Sequence, residues 1–538
     1  MQQQKVSKQQ SFLSGAIVLV VANAIVKVIG ALFKIPINNL IGADGMGIFS
    51  VAYNLYTALF VLSTAGLPVA VSKMVAEAKA LGKWNEIHRI VKMAAAIFVT
   101  VGAIGSLILY FGDSWLVGVV GNSMAYYAVK AIAPAIFFVA ISSVFRGYYQ
   151  GLSNMYPTAF SQVIEAVCKL GFGFVLVIVL VKAGMDIQYV AAGAIVGVTI
   201  GTVFSALYLA LIYRRRLKKD QEKAVYQKAV GKTVSNKTIA KRLVMIAIPV
   251  TIGSSVLSLT NLIDMAVVMN RLQDVGFSME KANYLYGAYN MSLTLFNLPQ
   301  TLITAISISI IPAIAAAFAR KDYELGKKTI ASSMKITVML ALPCAAGLAV
   351  LAKPILDLLY FKRADDVIIA TPLLQILGLA VVFVAMVSLT NAILQSIGKA
   401  HLPVITMFIG GVVKLTTNYI MVGNPAINIH GAPLGTTACY GTITVLNLIL
   451  IAYHTHSLPN PIRTVLKPLI ATAGMSAAAY GVNLICAQIV GGKLACLVAI
   501  LAAVVVYGIL LLVVGALDKE DVLLLPKGEK IARKLKMK

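Results

Sequence analysis

Two lysines stand inside an apolar segment near the start of the chain. Lys27 and Lys34 lie seven residues apart in SFLSGAIVLVVANAIVKVIGALFKIPI. In a helix they share one face with Asn23 and Gly30, because positions i, i+4, i+7 and i+11 line up at 3.6 residues per turn. A cation near the centre of a membrane helix is disfavoured by roughly 2.5–3.5 kcal/mol, so it normally faces a protein interior or a wet cavity. The spacing therefore predicts the wall of an anion-binding cavity. The alternative for both lysines is snorkelling or a structural contact with a carbonyl or carboxylate, and it applies more to Lys34, whose stem could reach the membrane interface from a helix end.

The composition indicates an integral membrane protein. Hydrophobic residues make up 59% of the chain and charged residues 12%, with a mean hydropathy of +0.87. A water-exposed fold could not cover so much apolar surface. The five cysteines lie in apolar segments, and neither they nor the five histidines show metal-ligand spacing. We therefore expect no metal site and no cofactor.

Apolar runs long enough to cross a bilayer occur fourteen times along the chain. Their approximate ranges are 11–36, 44–69, 89–111, 122–147, 157–182, 188–213, 243–270, 283–312, 329–352, 368–395, 402–422, 431–453, 464–488 and 493–517. The predicted fold is an all-α integral membrane protein with about 14 transmembrane helices.

The basic residues predict the orientation of these helices. With the N-terminus in the cytoplasm, 33 of the 46 Lys and Arg residues fall on the inner side, 7 fall on the outer side and the rest lie within helices. This split follows the positive-inside rule. We therefore expect a multi-pass membrane protein with both termini in the cytoplasm. Because orientation accounts for most of the net charge of +26, we expect no nucleic-acid partner.

An internal repeat predicts the domain organisation. Three matches recur in the same order: Ala52-Tyr53-Asn54 with Ala288-Tyr289-Asn290 (offset 236), Gln150 and Lys169 with Gln395 and Lys414 (offset 245), and Gly193 and Gly197 with Gly431 and Gly435 (offset 238). Copies six helices apart have the same orientation, which places a binding site between them near the midplane. The predicted parts are an N-lobe of six helices (1–213), a basic cytoplasmic loop (214–242), a C-lobe of six helices (243–455), two further helices (456–517) and a basic cytoplasmic tail (518–538).

One stretch of sequence also carries a family resemblance. The segment VIGALFKIPINNLIGADGMGIFSVAYNLY, followed by AGLPVAVSKMVAEAKALGKWNEIHRI, resembles the start of bacterial polysaccharide exporters of the MOP superfamily. Over essentially its whole length the chain is similar to the branch that contains stage V sporulation protein B and the MurJ-type lipid II flippases. The resemblance implies a flippase, not an enzyme, that moves an undecaprenyl-diphosphate-linked saccharide across the cytoplasmic membrane by alternating access. The saccharide would be lipid II or a related cell-wall or polysaccharide precursor. The implied partners are that lipid-linked saccharide and membrane lipids, with cell-wall synthesis enzymes as candidate protein partners.

The resemblance also implies a set of substrate-binding residues. The family's helix 1 pattern of a basic residue, a glycine three positions later and a second basic residue maps onto Lys27, Gly30 and Lys34, where lysines would neutralise a diphosphate. MurJ-type proteins also carry arginines in helices 2 and 8. Those helices have tyrosines and asparagines here, which weakens an assignment to lipid II itself. The further predicted binding residues are Asn23, Tyr53, Asn54, Lys130, Arg146, Lys169 and Asn290.

Two of these predicted residues have structural alternatives. Arg146 ends an apolar run on the cytoplasmic side, so it could serve only to orient the helix. Lys169 follows Glu165 by four residues and could form an ion pair with it on the same helix.

A second charged site is implied in the C-lobe. Some family members bind sodium there through an Asp on helix 7 and an Asn-x-x-x-Asp pair on helix 11. Asp264 matches the first position, but helix 11 has Lys414 and Asn418. We expect a buried pair of Asp264 and Lys414, next to Asn418, where the metal would otherwise lie. The alternative is that Asp264 only caps or packs within the lobe.

Two other classes of function stay open. A cation-coupled multidrug antiporter of the MATE type shares the two-lobe plan, but such proteins typically use acidic residues in the first lobe, where this chain has the helix 1 lysines. A membrane glycosyltransferase or ligase needs catalytic carboxylates or histidines on sizeable outer loops. The outer connectors of this chain are short and poor in histidine.

Overall fold

The computed structural model describes residues 2–226, 234–456, 460 and 462–516. These residues form sixteen α-helices, two short 3₁₀-helices (Ser123–Ala125 and Asn428–His430) and a π-helical turn (Ile462–Leu466). The α-helices are α1 (Gln2–Thr64), α2 (Gly66–Ala80), α3 (Trp84–Phe111), α4 (Asp113–Val120), α5 (Tyr126–Gly151), α6 (Tyr156–Lys182), α7 (Ile187–Tyr226), α8 (Asn236–Asp274), α9 (Met279–Ala319), α10 (Tyr323–Val350), α11 (Ala352–Leu359), α12 (Ala364–Ser396), α13 (Leu402–Val422), α14 (Gly431–Thr455), α15 (Lys467–Val490) and α16 (Gly492–Val513). The predicted tail, 518–538, and part of the predicted basic loop, 227–233, lie outside the described residues.

The all-α membrane fold is confirmed. Within the described ranges, eleven helical spans are long and apolar enough to cross a bilayer. One of them, Val21–Ala80, contains two predicted runs, because α1 continues through a kink at Gly42. Gly42 has φ 67° and ψ −172°, which glycine adopts without strain. Helices α8 and α9 cover two further predicted runs. The described helices are therefore consistent with about fourteen spans.

Large apolar side chains on the helix surfaces fit a lipid environment. In α16, Leu501 and Val504 are 68% and 66% exposed, while Ala499 on the same helix is fully buried. Water would disfavour such an outer face, whereas lipid tails do not.

The helices form two compact units. The first contains residues 1–273 and 277–287, and the second contains residues 274–276 and 288–538. In the first unit α2, α3, α5 and α7 pack around the buried rings of Tyr148 and Tyr149. Helix α8 joins this core through Ile239, Leu243 and Ala247. A polar contact adds to it, the bond from the Gly66 N–H to Thr251 Oγ1 (3.1 Å). The lobe boundaries expected from the repeat stay a prediction.

In the second unit, α10, α12 and α14 enclose a core that includes Met334, Leu389 and Ile451. The last two helices, α15 and α16, pack on α10. There the Tyr507 hydroxyl on α16 donates to the carbonyl of Met339 at 2.6 Å. This bond satisfies a buried phenol that lipid could not.

The order of elements repeats between the units. In each unit a 28-residue helix (α3, α10) is followed by an 8-residue helix (α4, α11). Two of the repeated glycines, Gly197 and Gly435, lie in similar contacts between helices. A Cβ added to Gly197 would lie 3.0 Å from the carbonyl oxygen of Lys169, and one added to Gly435 would lie 3.3 Å from that of Lys414. In both units a glycine thus lets one helix approach the backbone of the lysine-bearing helix.

Candidate functional site

The first unit contains a cavity of about 230 Å³ among helices α1, α5, α6 and α7. Its apolar wall includes Val26, Phe33 and Val198. Its polar wall consists of Asn23, Tyr53, Tyr56, Arg146, Gln162, Glu165 and Lys169. Charged side chains therefore line a space inside an otherwise apolar helical unit, which is the usual mark of a functional site in a membrane protein.

Aromatic rings from both halves of α1 form one side of the cavity. The rings of Phe33 and Phe49 lie 5.9 Å apart, Phe49 stacks on Tyr53 at 5.7 Å, and Tyr53 is 5.9 Å from Tyr56. The kink at Gly42 turns the chain between Phe33 and Phe49. This bend brings residues some twenty positions apart into one aromatic row.

Two ammonium groups lie over this row. Lys169 Nζ on α6 is 4.8 Å from the ring centre of Tyr53 and 4.9 Å from that of Phe33. Lys34 Nζ on α1 is 5.9 Å from the ring centre of Tyr53. All three distances suit a cation–π interaction, which attracts a cation without neutralising its charge. Within the part of the chain that the structure describes, neither lysine has a carboxylate within 4.0 Å.

Arg146 on α5 is held in a separate network. Its Nη2 donates to Glu165 at 2.8 Å and to Ser205 at 3.0 Å, and its Nε donates to Ser161 at 3.1 Å. The arginine side chain is 13% exposed and that of Glu165 is 28% exposed. Three helices, α5, α6 and α7, therefore meet at this guanidinium. Glu165 pairs with Arg146, and not with Lys169, its neighbour four residues along α6.

The charges leave the cavity region positive. Lys34 and Lys169 contribute two positive charges, while Arg146 and Glu165 balance each other. A partly buried pair of unneutralised ammonium groups favours an anionic ligand, since desolvated charges interact strongly.

The other residues that were predicted on α1 and α5 lie at different places in the structure. Asn23 and Gly30 line the cavity. Lys27 is exposed and is not part of the cavity wall. Asn54 points elsewhere in the unit, where its amide donates to Tyr286 at 3.1 Å. Lys130 forms an ion pair with Asp113 at 3.3 Å and also donates to the Tyr126 hydroxyl.

The remaining predicted residues do not belong to this cavity. Asp264 is buried in the first unit, whereas Asn290, Lys414 and Asn418 lie in the second. Asn290 is 8% exposed and Asn418 is fully buried. The expected pairing of Asp264 with Lys414 stays a prediction.

Three polar cavity residues, Tyr56, Gln162 and Glu165, were not predicted from the sequence as binding residues. Gln162 lines the cavity, and among the described residues its buried Oε1 has no hydrogen-bond partner. Glu165 was considered only as a partner of Lys169. A signal was present, because positions 162, 165, 166 and 169 fall on one face of α6 at spacings of three, four and seven. The same argument that selected helix 1 would have selected this face.

Fold and cavity together define an all-α membrane protein with a cationic cavity between its helices. A family model described as "Polysaccharide biosynthesis protein" matches residues 12–318, and one described as "MatE" matches residues 249–420. Because the first match covers more than half of the chain, the chain belongs to the polysaccharide biosynthesis protein family. The resemblance to the MOP superfamily is thereby confirmed.

Relatives in Bacillus subtilis (strain 168) agree with this assignment. The chain is 26% identical to stage V sporulation protein B, over 82% of this chain and 84% of that protein. It is 25% identical to the lipid II flippase MurJ, over 82% of each. Among solved structures, "Lipid II flippase MurJ, inward closed conformation" matches with a TM-score of 0.65 at 15% identity. That match covers 92% of this chain and 98% of the other.

Proposed function

We propose that this protein is a flippase that moves an undecaprenyl-diphosphate-linked saccharide from the inner to the outer leaflet of the cytoplasmic membrane. The observation that carries the proposal is the pair of unneutralised ammonium groups, Lys34 and Lys169, over the Tyr53 ring. A diphosphate that leaves water needs positive charge beside it, and lysine supplies a compact point charge. The similarity to a lipid II flippase and to a sporulation protein supports the same class of cargo.

The cavity also offers groups for the saccharide. The buried Oε1 of Gln162 can accept a hydrogen bond from a sugar hydroxyl, and the tyrosine rings give apolar surface for a sugar face. A cavity of about 230 Å³ is smaller than the roughly 300–1,000 Å³ of typical ligand sites. It would therefore hold the phosphates and the adjoining sugar in this conformation, and it would widen for a larger headgroup.

The orientation expected from the basic residues sets the direction of transport. With both termini in the cytoplasm, the inside-negative potential favours outward movement of an anionic headgroup by about 2.3 kcal/mol per charge per 100 mV. Alternating access would expose Lys34 and Lys169 first to the inner and then to the outer side. Transport of this kind requires binding but no catalysis, so we propose a carrier and not an enzyme.

A cationic drug fits this cavity poorly. Such a ligand would meet the Lys169 ammonium in the cavity wall, with that of Lys34 over the same Tyr53 ring. Glu165, the carboxylate in the described cavity wall, is already paired with Arg146. The multidrug antiporter, although it shares the MatE family model, is therefore the weaker proposal.

Binding by the purified full-length protein in nanodiscs tests the proposal. The three ligands are lipid II, undecaprenyl diphosphate and a cationic drug, each measured with the wild type, Lys34→Gln and the control Lys182→Gln, which changes an exposed lysine at the end of α6. We expect both lipids to bind the wild type and the control, and to bind Lys34→Gln at least several-fold more weakly. Binding of the drug together with failure of both lipids to bind would overturn the proposal.

A further inference from the structure

Glu165 places a negative charge in a cavity that, under the proposed function, binds an anion. Glu165 lies in the cavity wall together with Lys169, and its charge repels a phosphate. Ser161 and Ser205 also accept hydrogen bonds from the Arg146 guanidinium, so two contacts that hold it would remain without the carboxylate. In the described part of the chain, Nη1 of Arg146 makes no hydrogen bond, so the arginine keeps a donor to spare.

The second unit has no charged residues at the positions that correspond to Arg146 and Glu165. At the offset of 245 residues that relates Lys169 to Lys414, Arg146 corresponds to Asn391 and Glu165 to Gly410. Asn391 still takes part in a partly buried network, because Asn447 donates to it at 2.8 Å. Positive and negative charge are thus both missing there, yet a network joins the helices. Holding the helices together therefore does not require the charged pair, which points to a role in binding.

We propose that Glu165 is an internal competitor for the substrate, an anion that pairs with Arg146 while the cavity is empty and is displaced by a phosphate of the cargo. This proposal rests on the proposed function and assigns the residue that limits affinity at its site. Upon displacement, Arg146 turns from the carboxylate to the phosphate.

The exchange explains how a cavity this positive can release its cargo. Differences in affinity between related sites lie mostly in the dissociation rate, so a very tight site would hold the lipid after transport. Glu165 lies on a helix that packs against α5, so it can re-form the pair with Arg146 as the phosphate departs. The carboxylate therefore weakens binding and speeds release at once.

Equilibrium binding of undecaprenyl diphosphate to the full-length protein in neutral-lipid nanodiscs tests the inference. The central variant is Glu165→Gln, which removes the charge and keeps the shape. The matched control is Glu77→Gln, which breaks a second Glu–Arg pair, Glu77–Arg242 at 2.7 Å, on an exposed surface away from the cavity. We expect Glu165→Gln to bind about tenfold more tightly, in line with close charge pairs at interfaces, and Glu77→Gln to bind like the wild type. In a flipping assay, Glu165→Gln should lower both KM and kcat, whereas structural damage would raise KM.

A second comparison separates competition for Arg146 from plain charge repulsion. The double variant Arg146→Gln/Glu165→Gln has no charge at either position, as in the second unit. If Glu165 competes with the substrate for Arg146, the gain in affinity from Glu165→Gln shrinks in the Arg146→Gln background, because the contested group is gone. If Glu165 acts only by repelling the phosphate, the gain is the same in both backgrounds, and that result would overturn the inference. Equal or weaker binding by Glu165→Gln, with normal wild-type binding, would overturn it as well. Failure of the wild type to bind would instead overturn the proposed function.

Discussion

Replacing Lys169 with methionine should separate substrate binding from stability. The ammonium of Lys169 lies 4.8 Å from the ring centre of Tyr53. A phosphate would approach to a similar distance, and two unit charges roughly 5 Å apart interact by about 3 kcal/mol at an effective dielectric constant of about 20. Dehydration of both groups offsets part of this energy, and hydrogen bonds to charged groups are worth about 1.5–3 kcal/mol net. Because about 1.4 kcal/mol is a tenfold change in affinity, Lys169→Met should weaken binding roughly 10- to 100-fold.

The same substitution should leave the fold intact or stabilise it. Lys169 is half-buried and has no carboxylate partner within the described residues, so the folded state carries a partly dehydrated charge. Methionine has a similar length, and its sulfur packs well against the rings of Tyr53 and Phe33. The melting temperature of Lys169→Met should therefore equal or exceed that of the wild type.

Two measurements on one preparation check this prediction. The first is the Kd for undecaprenyl diphosphate in neutral-lipid nanodiscs, and the second is the melting temperature without ligand. Lys182→Met, at the exposed end of the same helix, is the control and should match the wild type in both. Unchanged affinity in Lys169→Met would refute the reasoning. Weaker binding together with a lower melting temperature would show that the lysine serves the fold.

Three further predictions follow from the same contacts. Tyr53→Phe should retain most of the affinity for undecaprenyl diphosphate, whereas Tyr53→Leu should bind this lipid several-fold more weakly. The reason is that only phenylalanine keeps the ring that attracts Lys34 and Lys169. Equal affinities of the two variants would contradict the role of the ring. Gly197→Ala should destabilise the protein by about 1–3 kcal/mol, because the new Cβ would overlap the backbone of Gly173. Gly171→Ala, whose Cβ meets open space on the opposing helix, should not lower the thermal stability. Lys130→Gln should lower the melting temperature, because it removes the ion-pair partner of the buried Asp113 carboxylate. The same variant should not change lipid affinity. A loss of affinity without a lower melting temperature would place Lys130 in the binding site instead.

The membrane-spanning helices could be predicted from the sequence because long apolar runs are what contact with lipid requires. The sequence was less informative about their ends. Helix α7 continues through the basic segment to Tyr226, because lysine, arginine and glutamate are good helix formers outside the membrane. The 8-residue helices α4 and α11 fall in predicted connectors, since eight residues are too few for a bilayer-length window.

The sequence also indicated part of the candidate site. The face of helix 1 that carries Lys34 could be recognised because a cation in an apolar run needs an explanation. The partner of Glu165 could not be chosen in the same way. Lys169 lies four residues away on the same helix, while Arg146 lies on another helix, and only the packing of α5 against α6 and α7 decides between them. Spacing along one helix predicts faces, whereas contacts between helices depend on tertiary structure.

Flipping in proteoliposomes tests the central claim most directly. The protein is reconstituted with an undecaprenyl-diphosphate-linked saccharide in the leaflet that corresponds to the cytoplasm, and exposure of the sugar on the other side is followed over time with an impermeant sugar-modifying enzyme. We predict that the wild type accelerates exposure well above that of protein-free vesicles and that Lys169→Met does so far less. The account is contradicted if the wild type transfers the lipid no faster than protein-free vesicles while it transports a cationic drug.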